Sequence, residues 1–351
     1  MKICHFTSWA PRRSGMFESV KDAIKYERRE GLKSDFISHD EAYKDGRPDL
    51  VDDGWLSPVS WKVAEEADVW VMHRSVPKEL NKLFPKKATV AVLHGPTEHM
   101  LLTEWMTEGK TTAFNLHIDM MWRYDATVVL NRHEYDIMKL YDEKDRLHYI
   151  PNSIDLERCL DPLVPTWKYE NRPAILSCDV FRLEKLPAHI IWSMPRIEKA
   201  IPSARLNVFS MALSTVSLSK TFFTRSKDWK LSKLCENIQL ENNDLRPFMR
   251  GANIGFNSNI SGIASRVSME MMAHGVPVVS YGGDGYTPYV AKIFDLDSIT
   301  EQLVKCWKDL TVSGSTLKED TAKYARENFD RGKWVKDYVK LYSTILEKKS
   351  G

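Results

Sequence analysis

Several features that would place this chain in a specialised class are missing from its sequence. Its five cysteines are an odd number, widely scattered and without a C-x-x-C pair, so neither a disulfide framework nor a zinc cluster is expected. No apolar run approaches about 18 residues, and the N-terminus lacks the apolar stretch of a signal peptide, which predicts a cytoplasmic protein without an integral membrane segment. Fifty Lys and Arg against 48 Asp and Glu leave a net charge of +2, too balanced to indicate nucleic acid as a partner.

What the sequence does contain is a regular alternation of strand and helix patterns. The length of 351 residues favours two domains, and a hydrophobic content of 43% is that of a globular protein. Apolar runs predict strands, and apolar residues at helical spacing predict helices between them. The predicted strands are 2–7, 34–37, 67–72, 89–93, 126–130, 148–150, 174–177, 205–209, 254–256 and 276–280; the predicted helices are 16–30, 112–123, 187–200, 265–274, 298–307 and a last one after Phe329. This order predicts an α/β fold of two Rossmann-like, doubly wound domains facing a central cleft.

The domain boundaries follow from a change in composition. Residues 162–172 are rich in proline, tryptophan and charge and show no periodicity, so they are interpreted as a linker. The expected domains are 1–161 and 173–330, with 331–351 as a C-terminal helix that crosses back to the first domain. Ligands of open α/β sheets bind outside the carboxyl ends of the strands, so the chemistry is expected in the cleft.

Two segments carry the strongest local signals. The loop that ends at Gly15 lies between the first strand and the first helix, and a helix N-terminus with nearby cations suits a phosphate. The second segment is 261–280, in which Glu270 interrupts an apolar helix face formed by Val267 and Met271. A carboxylate in such a place needs a partner, and ribose hydroxyls are one candidate.

Glu270-Met-Met-Ala-His-Gly-Val-Pro-Val-Val resembles the second half of the motif E-x7-E…A-M-A-x-G-x-P-V-V. This motif marks the retaining nucleotide-sugar glycosyltransferases of the GT-B fold, the group (family four) that includes glycogen-synthase-like enzymes. Val92-Leu-His94-Gly95 and Ile150-Pro-Asn-Ser-Ile-Asp155 are similar to further landmarks of this family. The first glutamate of the motif is missing, because Gly262 stands at its position.

The resemblance implies a role for each matching residue. Arg182 and Lys185, in a text similar to G-R-L-x-x-x-K-G but two residues tighter, would bind the donor diphosphate, and Glu270 would bind the ribose. His94 would lie beside the donor sugar. With no first glutamate, Ser261 or backbone amides near Gly262 would contact the sugar hydroxyls. The expected catalytic residues are therefore His94, Arg182 and Lys185, and the expected donor-binding residues are Gly15, Arg182, Lys185, Ser261, Gly262 and Glu270.

The implied activity is transfer of a sugar, with retention, from a nucleotide diphosphate donor to a hydroxyl acceptor, with domain 1–161 on the acceptor side and 173–330 on the donor side. No cofactor and no metal site are expected. His94, Glu98 and His99 lack the H-E-x-x-H spacing of a zinc site, and the pair Asp295 and Asp297 is interpreted as a helix start.

The identity of the acceptor stays open. The candidates are a glycan, a lipid-linked sugar, a small molecule and a hydroxylated DNA base, as in viral-type enzymes. The cationic stretch 214–233 would suit an anionic acceptor. A nucleotide-sugar-binding protein without turnover is the alternative suggested by Gly262, and a sugar-nucleotide epimerase is a third.

Overall fold

The computed structural model describes residues 1–7, 15–38, 61–73, 82–94, 121–170, 172–178, 185, 187–209, 234–238, 244–260, 263–282 and 285–350. The chain divides into two compact units, the first made of Met1–Asp155 and Asp330–Gly351 and the second of Leu156–Phe329. The C-terminal segment thus belongs to the first unit. The domain boundaries expected at 162–172 and 330 stay predictions.

The strands and helices agree with most of the predicted elements. The strands are β1 Lys2–Thr7, β2 Lys33–Ser38, β3 Val69–Met72, β4 Ala88–Leu93, β5 Ala126–Val129, β6 Leu147–Tyr149, β7 Ala174–Ser177, β8 Arg205–Phe209, β9 Cys235–Ile238, β10 Ile254–Asn257, β11 Val278–Ser280 and β12 Tyr289–Val290. The helices are α1 Gly15–Arg29, α2 Trp61–Glu66, α3 Arg132–Met138, α4 Leu156–Cys159, α5 Pro187–Ala200, α6 Arg246–Gly251, α7 Arg266–Ala273, α8 Leu296–Thr311, α9 Leu317–Asn328 and α10 Arg331–Ser350. Of the predicted helix 112–123, only residues 121–123 are described, and they are helical.

The first unit is built on a parallel sheet with strand order β2-β1-β3-β4-β5-β6. Helix α10 packs its apolar side on this sheet, because its buried residues recur at three- and four-residue spacing. They share one core with strand residues: Tyr338, Leu341, Tyr342 and Ile345 pack with Val69, Val90 and Val128, among others. The last helix is therefore part of the core of this unit.

The second unit holds another parallel sheet, with order β12-β11-β10-β7-β8-β9. Its two edge strands, β9 and β12, were not predicted, since they are short and carry little of the apolar signal of buried strands. Gly255 in β10 lies directly under α7, where an added Cβ would stand 2.6 Å from the Met271 side chain. A glycine here allows α7 to approach the sheet closely.

Both sheets have the same kind of topological switch point. In the first unit the chain runs from β1 to β2 on one side and then returns to place β3 on the other side of β1. In the second unit β8 and β9 lie on one side of β7, and β10 lies on the other. Ligands of open α/β sheets bind at such points, outside the carboxyl ends of the strands. None of the described helices is long and apolar enough to cross a membrane.

Candidate functional site

Lys185 lies at the switch point of the second unit. Its backbone forms an isolated antiparallel bridge with Asn259, which follows β10, so the chain after β7 meets the chain after β10 at this edge. The edge is held in place by Asn257, whose Nδ2 donates to the Ile263 carbonyl at 2.8 Å and to the Tyr286 hydroxyl at 2.7 Å. The Lys185 backbone therefore lies in the part of the sheet where a ligand is expected.

Glu270 is placed by α7, the helix that follows β10. Ser265 caps this helix, its side chain accepting from the Ser268 amide. One turn further, the Oε1 atom of Glu270 accepts from Arg266 Nε at 3.0 Å and lies 3.4 Å from Arg158 Nη2. These arginines, which sequence reasoning missed, are the partners that a carboxylate on a helix face requires. Both contacts use Oε1; within the described part of the chain Oε2 takes no hydrogen bond, and the side chain is 13% exposed.

A thiol and an imidazole lie next to Glu270 but remain uncharged. Cys159 Sγ is 3.7 Å from the Glu270 carbonyl oxygen and 3.6 Å from His274 Nε2. Burial, reinforced by the charge of Glu270, raises the pKa of the Cys159 thiol well above its ordinary value. Burial, with the charges of Arg250 and Arg246, lowers the pKa of His274 to about 4. The pair thus supplies no thiolate nucleophile at neutral pH.

In the first unit, Gly15 begins α1 and is exposed. Its carbonyl accepts from the Ser19 hydroxyl at 2.9 Å, and a Cβ at this position would meet nothing within 4 Å. The helix N-terminus is thus open on the side of Gly15, but this geometry does not require a glycine. Contact between Gly15 and a phosphate stays a prediction.

His94 directly follows β4 and is joined to two further histidines. His94 Nε2 lies 2.5 Å from His73 Nδ1, His73 Nε2 lies 2.9 Å from His5 Nδ1, and His5 Nε2 lies 2.8 Å from Glu27 Oε2. The rings come from neighbouring parallel strands, which explains centroid separations of 5.2 Å and 4.8 Å. We call Glu27, His5, His73 and His94 the histidine chain.

The far end of the histidine chain is a buried carboxylate. Glu27 accepts from Tyr342 at 3.0 Å and from Ser34 at 2.6 Å, besides its contact with His5. Burial alone would raise the pKa of Glu27, but the hydrogen bonds from His5 and Ser34 outweigh it, so this pKa lies below its ordinary value. Glu27 is therefore ionised at neutral pH.

His73 and His94, the two histidines farthest from Glu27, are uncharged. Burial, with the nearby Arg331 cation, lowers the pKa of His94 to about 3. Burial and the same cation likewise hold the pKa of His73 well below its ordinary value. Arg331 is itself 6% exposed: its Nη1 donates to Ser153 Oγ at 3.3 Å and its guanidinium lies 4.8 Å from the Tyr338 ring centroid.

The histidine chain lines a small cavity at the carboxyl edge of the first sheet. The cavity has space for about one water molecule and is partly open to solvent. Its polar lining comes from His5, Ser19, His73, His94, Asn152 and Arg331. No group of His, Cys, Asp and Glu side chains among the described residues is arranged to hold a metal ion.

Sequence reasoning found His94 but missed its partners. Two signals were available. His73 directly follows β3 as His94 follows β4, and Glu27 lies three residues after Ile24 and seven after Val20, on the buried side of α1. A carboxylate on that side of a helix needs a buried partner, which is His5.

The other features predicted from the sequence are the Asp295–Asp297 pair and several positions that the structure does not describe. Asp295 caps α8, its side chain accepting from the Ser298 amide at 2.9 Å, which confirms that the Asp295–Asp297 pair marks a helix start. Several predicted positions lie outside the described residues: 11–14, Glu98, His99, Arg182, 214–233, Ser261 and Gly262. The structure thus brings Lys185 to the switch point of one sheet and His94 to the carboxyl edge of the other.

Comparison with known proteins identifies the fold. No family model matches the sequence, and no curated protein matches it. Among solved structures, a sucrose-phosphate synthase from Thermosynechococcus elongatus has a TM-score of 0.76 at 12% identity, covering 99% of this chain and 100% of that one. The Anabaena protein HepE, in complex with UDP-glucose, has a TM-score of 0.69 at 14% identity and covers 100% and 98%. A glycosyltransferase from Rickettsia africae has a TM-score of 0.68 at 13% identity, covering 98% of both chains. The predicted GT-B fold of two parallel-sheet α/β domains is confirmed.

Proposed function

We propose that this chain is a retaining glycosyltransferase that moves a sugar from a nucleoside diphosphate donor to a hydroxyl group of a glycan, a lipid-linked sugar or a small molecule. The proposal rests on the positions of two residues in the second unit. Lys185 and Glu270, the described residues that match a donor-binding motif, lie at the switch point of the second sheet and on the helix after β10. The fold is one that a sucrose-phosphate synthase and a protein bound to UDP-glucose share over nearly the whole chain.

In this proposal the second unit holds the donor. Lys185, with Arg182, neutralises the diphosphate as it departs, because an ammonium and a guanidinium stabilise negative charge without a bound metal. The free Oε2 of Glu270 accepts hydrogen bonds from the ribose hydroxyls, while Oε1 stays on Arg266 and Arg158. Two arginines thus fix the carboxylate before the donor arrives, which reduces the ordering cost of binding.

The first unit supplies the acceptor side. The departing phosphate oxygen accepts the proton of the attacking hydroxyl on the same face of the sugar, so no protein nucleophile is required. Catalysis then depends on positioning and on electrostatic stabilisation of the leaving group.

The donor site is tested by calorimetric titration of Lys185→Ala with UDP-glucose as the first probe, followed by a panel of other nucleotide sugars. Removing one charge-assisted hydrogen bond is expected to weaken binding by roughly tenfold or more. Lys308→Ala is the matched control, since Lys308 is exposed on α8 in the same unit. A Lys185→Ala protein that binds the donor as tightly as the wild type would contradict this site.

A second candidate function is donor binding without turnover, which the glycine at position 262 favours. The same titration series separates the two when the release of free nucleoside diphosphate is followed. Slow hydrolysis, accelerated by an acceptor, supports the transferase; tight binding with no release over hours supports the binding protein. The acceptor panel should include hydroxymethylated DNA, because the stretch 214–233 is cationic and rich in aromatic residues.

A further inference from the structure

The histidine chain has a direction, because one of its ends cannot donate. Glu27 is 0% exposed and accepts from Tyr342, Ser34 and His5, so it is a carboxylate that only accepts. His5 Nε2 must therefore carry the hydrogen of the bond to Glu27. A neutral imidazole has one N–H and one free electron pair, so its second nitrogen is then an acceptor.

This direction is transmitted through each ring in turn. When each ring carries a single hydrogen, His5 Nδ1 accepts from His73 Nε2 at 2.9 Å, and His73 Nδ1 in turn accepts from His94 Nε2 at 2.5 Å. His94 then has its hydrogen on Nε2 and an electron pair on Nδ1. No other arrangement of a chain without net added protons satisfies all three bonds.

We propose that Glu27, His5 and His73 are positioning residues that hold His94 uncharged with the electron pair on Nδ1, so that Nδ1 accepts a hydrogen bond from a sugar hydroxyl of the bound ligand. The identity of the ligand rests on the proposed glycosyltransferase function; the state of His94 does not. Within the described residues Nδ1 makes no hydrogen bond of its own, whereas Nε2 is occupied by His73. Among the described residues, the ring is thus engaged through Nε2 alone.

Nitrogen-15 NMR of histidine-labelled full-length protein tests this arrangement without any ligand. At pH 7 the wild type is expected to show His94 with a protonated Nε2 and an unprotonated Nδ1. A protonated Nδ1 at pH 7 would overturn the proposal.

His73→Phe interrupts the chain while it keeps a ring in the same space. The variant is expected to show both tautomers of His94 and to bind the sugar nucleotide about tenfold more weakly. His133→Phe, which removes an exposed imidazole from α3 in the same unit, should change neither. An unchanged His94 tautomer in folded His73→Phe would refute the role of His73; if this variant does not fold, the wild-type spectra still decide.

Failure of this proposal and failure of the proposed function give different results. The expected His94 tautomer in a protein that binds no nucleotide sugar would support the role of the histidine chain and refute the glycosyltransferase function. Donor binding in a protein whose His94 carries its hydrogen on Nδ1 at pH 7 would support the glycosyltransferase function and refute the role of the histidine chain.

Discussion

Replacing Glu270 by glutamine should lower the stability of the second unit measurably. The substitution keeps the shape of the side chain and removes its charge, leaving Arg266 and Arg158 without their shared carboxylate oxygen at 3.0 Å and 3.4 Å. Arg266 and Glu270 are 11% and 13% exposed and Arg158 is 36% exposed, so the cost lies between that of a surface pair and that of a buried one. We expect about 1.5 kcal/mol, with most of it from the Arg266 contact.

Such a loss corresponds to a decrease in Tm of about 3–6 °C for a unit of this size. The assay is calorimetric unfolding, with Glu301→Gln as the control, because Glu301 is exposed on α8 in the same unit and should stay within about 0.5 kcal/mol of wild type. A double-mutant cycle with Arg266→Gln isolates the pair and should give a coupling of about 1 kcal/mol. A coupling near zero would refute the electrostatic role that the structure gives to Glu270.

Three further perturbations have defined outcomes. Gly275→Ala should cost about 1–2 kcal/mol in denaturant unfolding, because φ is +76° there and an added Cβ would stand 2.9 Å from the Lys318 carbonyl oxygen; an unchanged midpoint would contradict this. His94→Phe should flatten the pH dependence of stability between pH 6.5 and about 3. Because the pKa of His94 is lowered in the folded protein, only the unfolded chain takes up a proton on this ring in that range, so the stability of the wild type falls as pH falls. Equal slopes of stability against pH in the two proteins would be inconsistent with a buried neutral ring. Asp295→Ala should cost about 1 kcal/mol as a lost N-cap, whereas Asp297→Ala, 74% exposed, should have almost no effect on Tm; the reverse order would exclude the cap.

The fold could be predicted from the sequence because its signals are local. Apolar runs such as 174–177 and helical spacing such as 187–200 match the observed elements at both ends. The short edge strands β9 and β12 were missed, since their pairing depends on a neighbouring strand more than on their own composition. The helix Leu317–Asn328 was also missed: only three of its residues are buried, so its apolar stripe is narrow.

The candidate site was predictable one residue at a time and not as an arrangement. The sequence motifs identified Lys185, Glu270 and His94 individually. They did not reveal that Arg158, over a hundred positions before Glu270, would reach its carboxylate, or that His5 and His73 would align with His94 across three adjacent strands. Such contacts depend on strand order, and strand order is set by long-range pairing that no short segment encodes.

The most direct test of the proposed activity is release of nucleoside diphosphate from a panel of nucleotide sugars by the purified full-length protein, compared with Lys185→Ala. We expect that one donor, with UDP-glucose tried first, raises the Tm of the wild type by mass action and is slowly hydrolysed, and that both effects are strongly reduced in the variant. If no donor at millimolar concentration shifts the Tm or releases nucleotide, the glycosyltransferase assignment is contradicted.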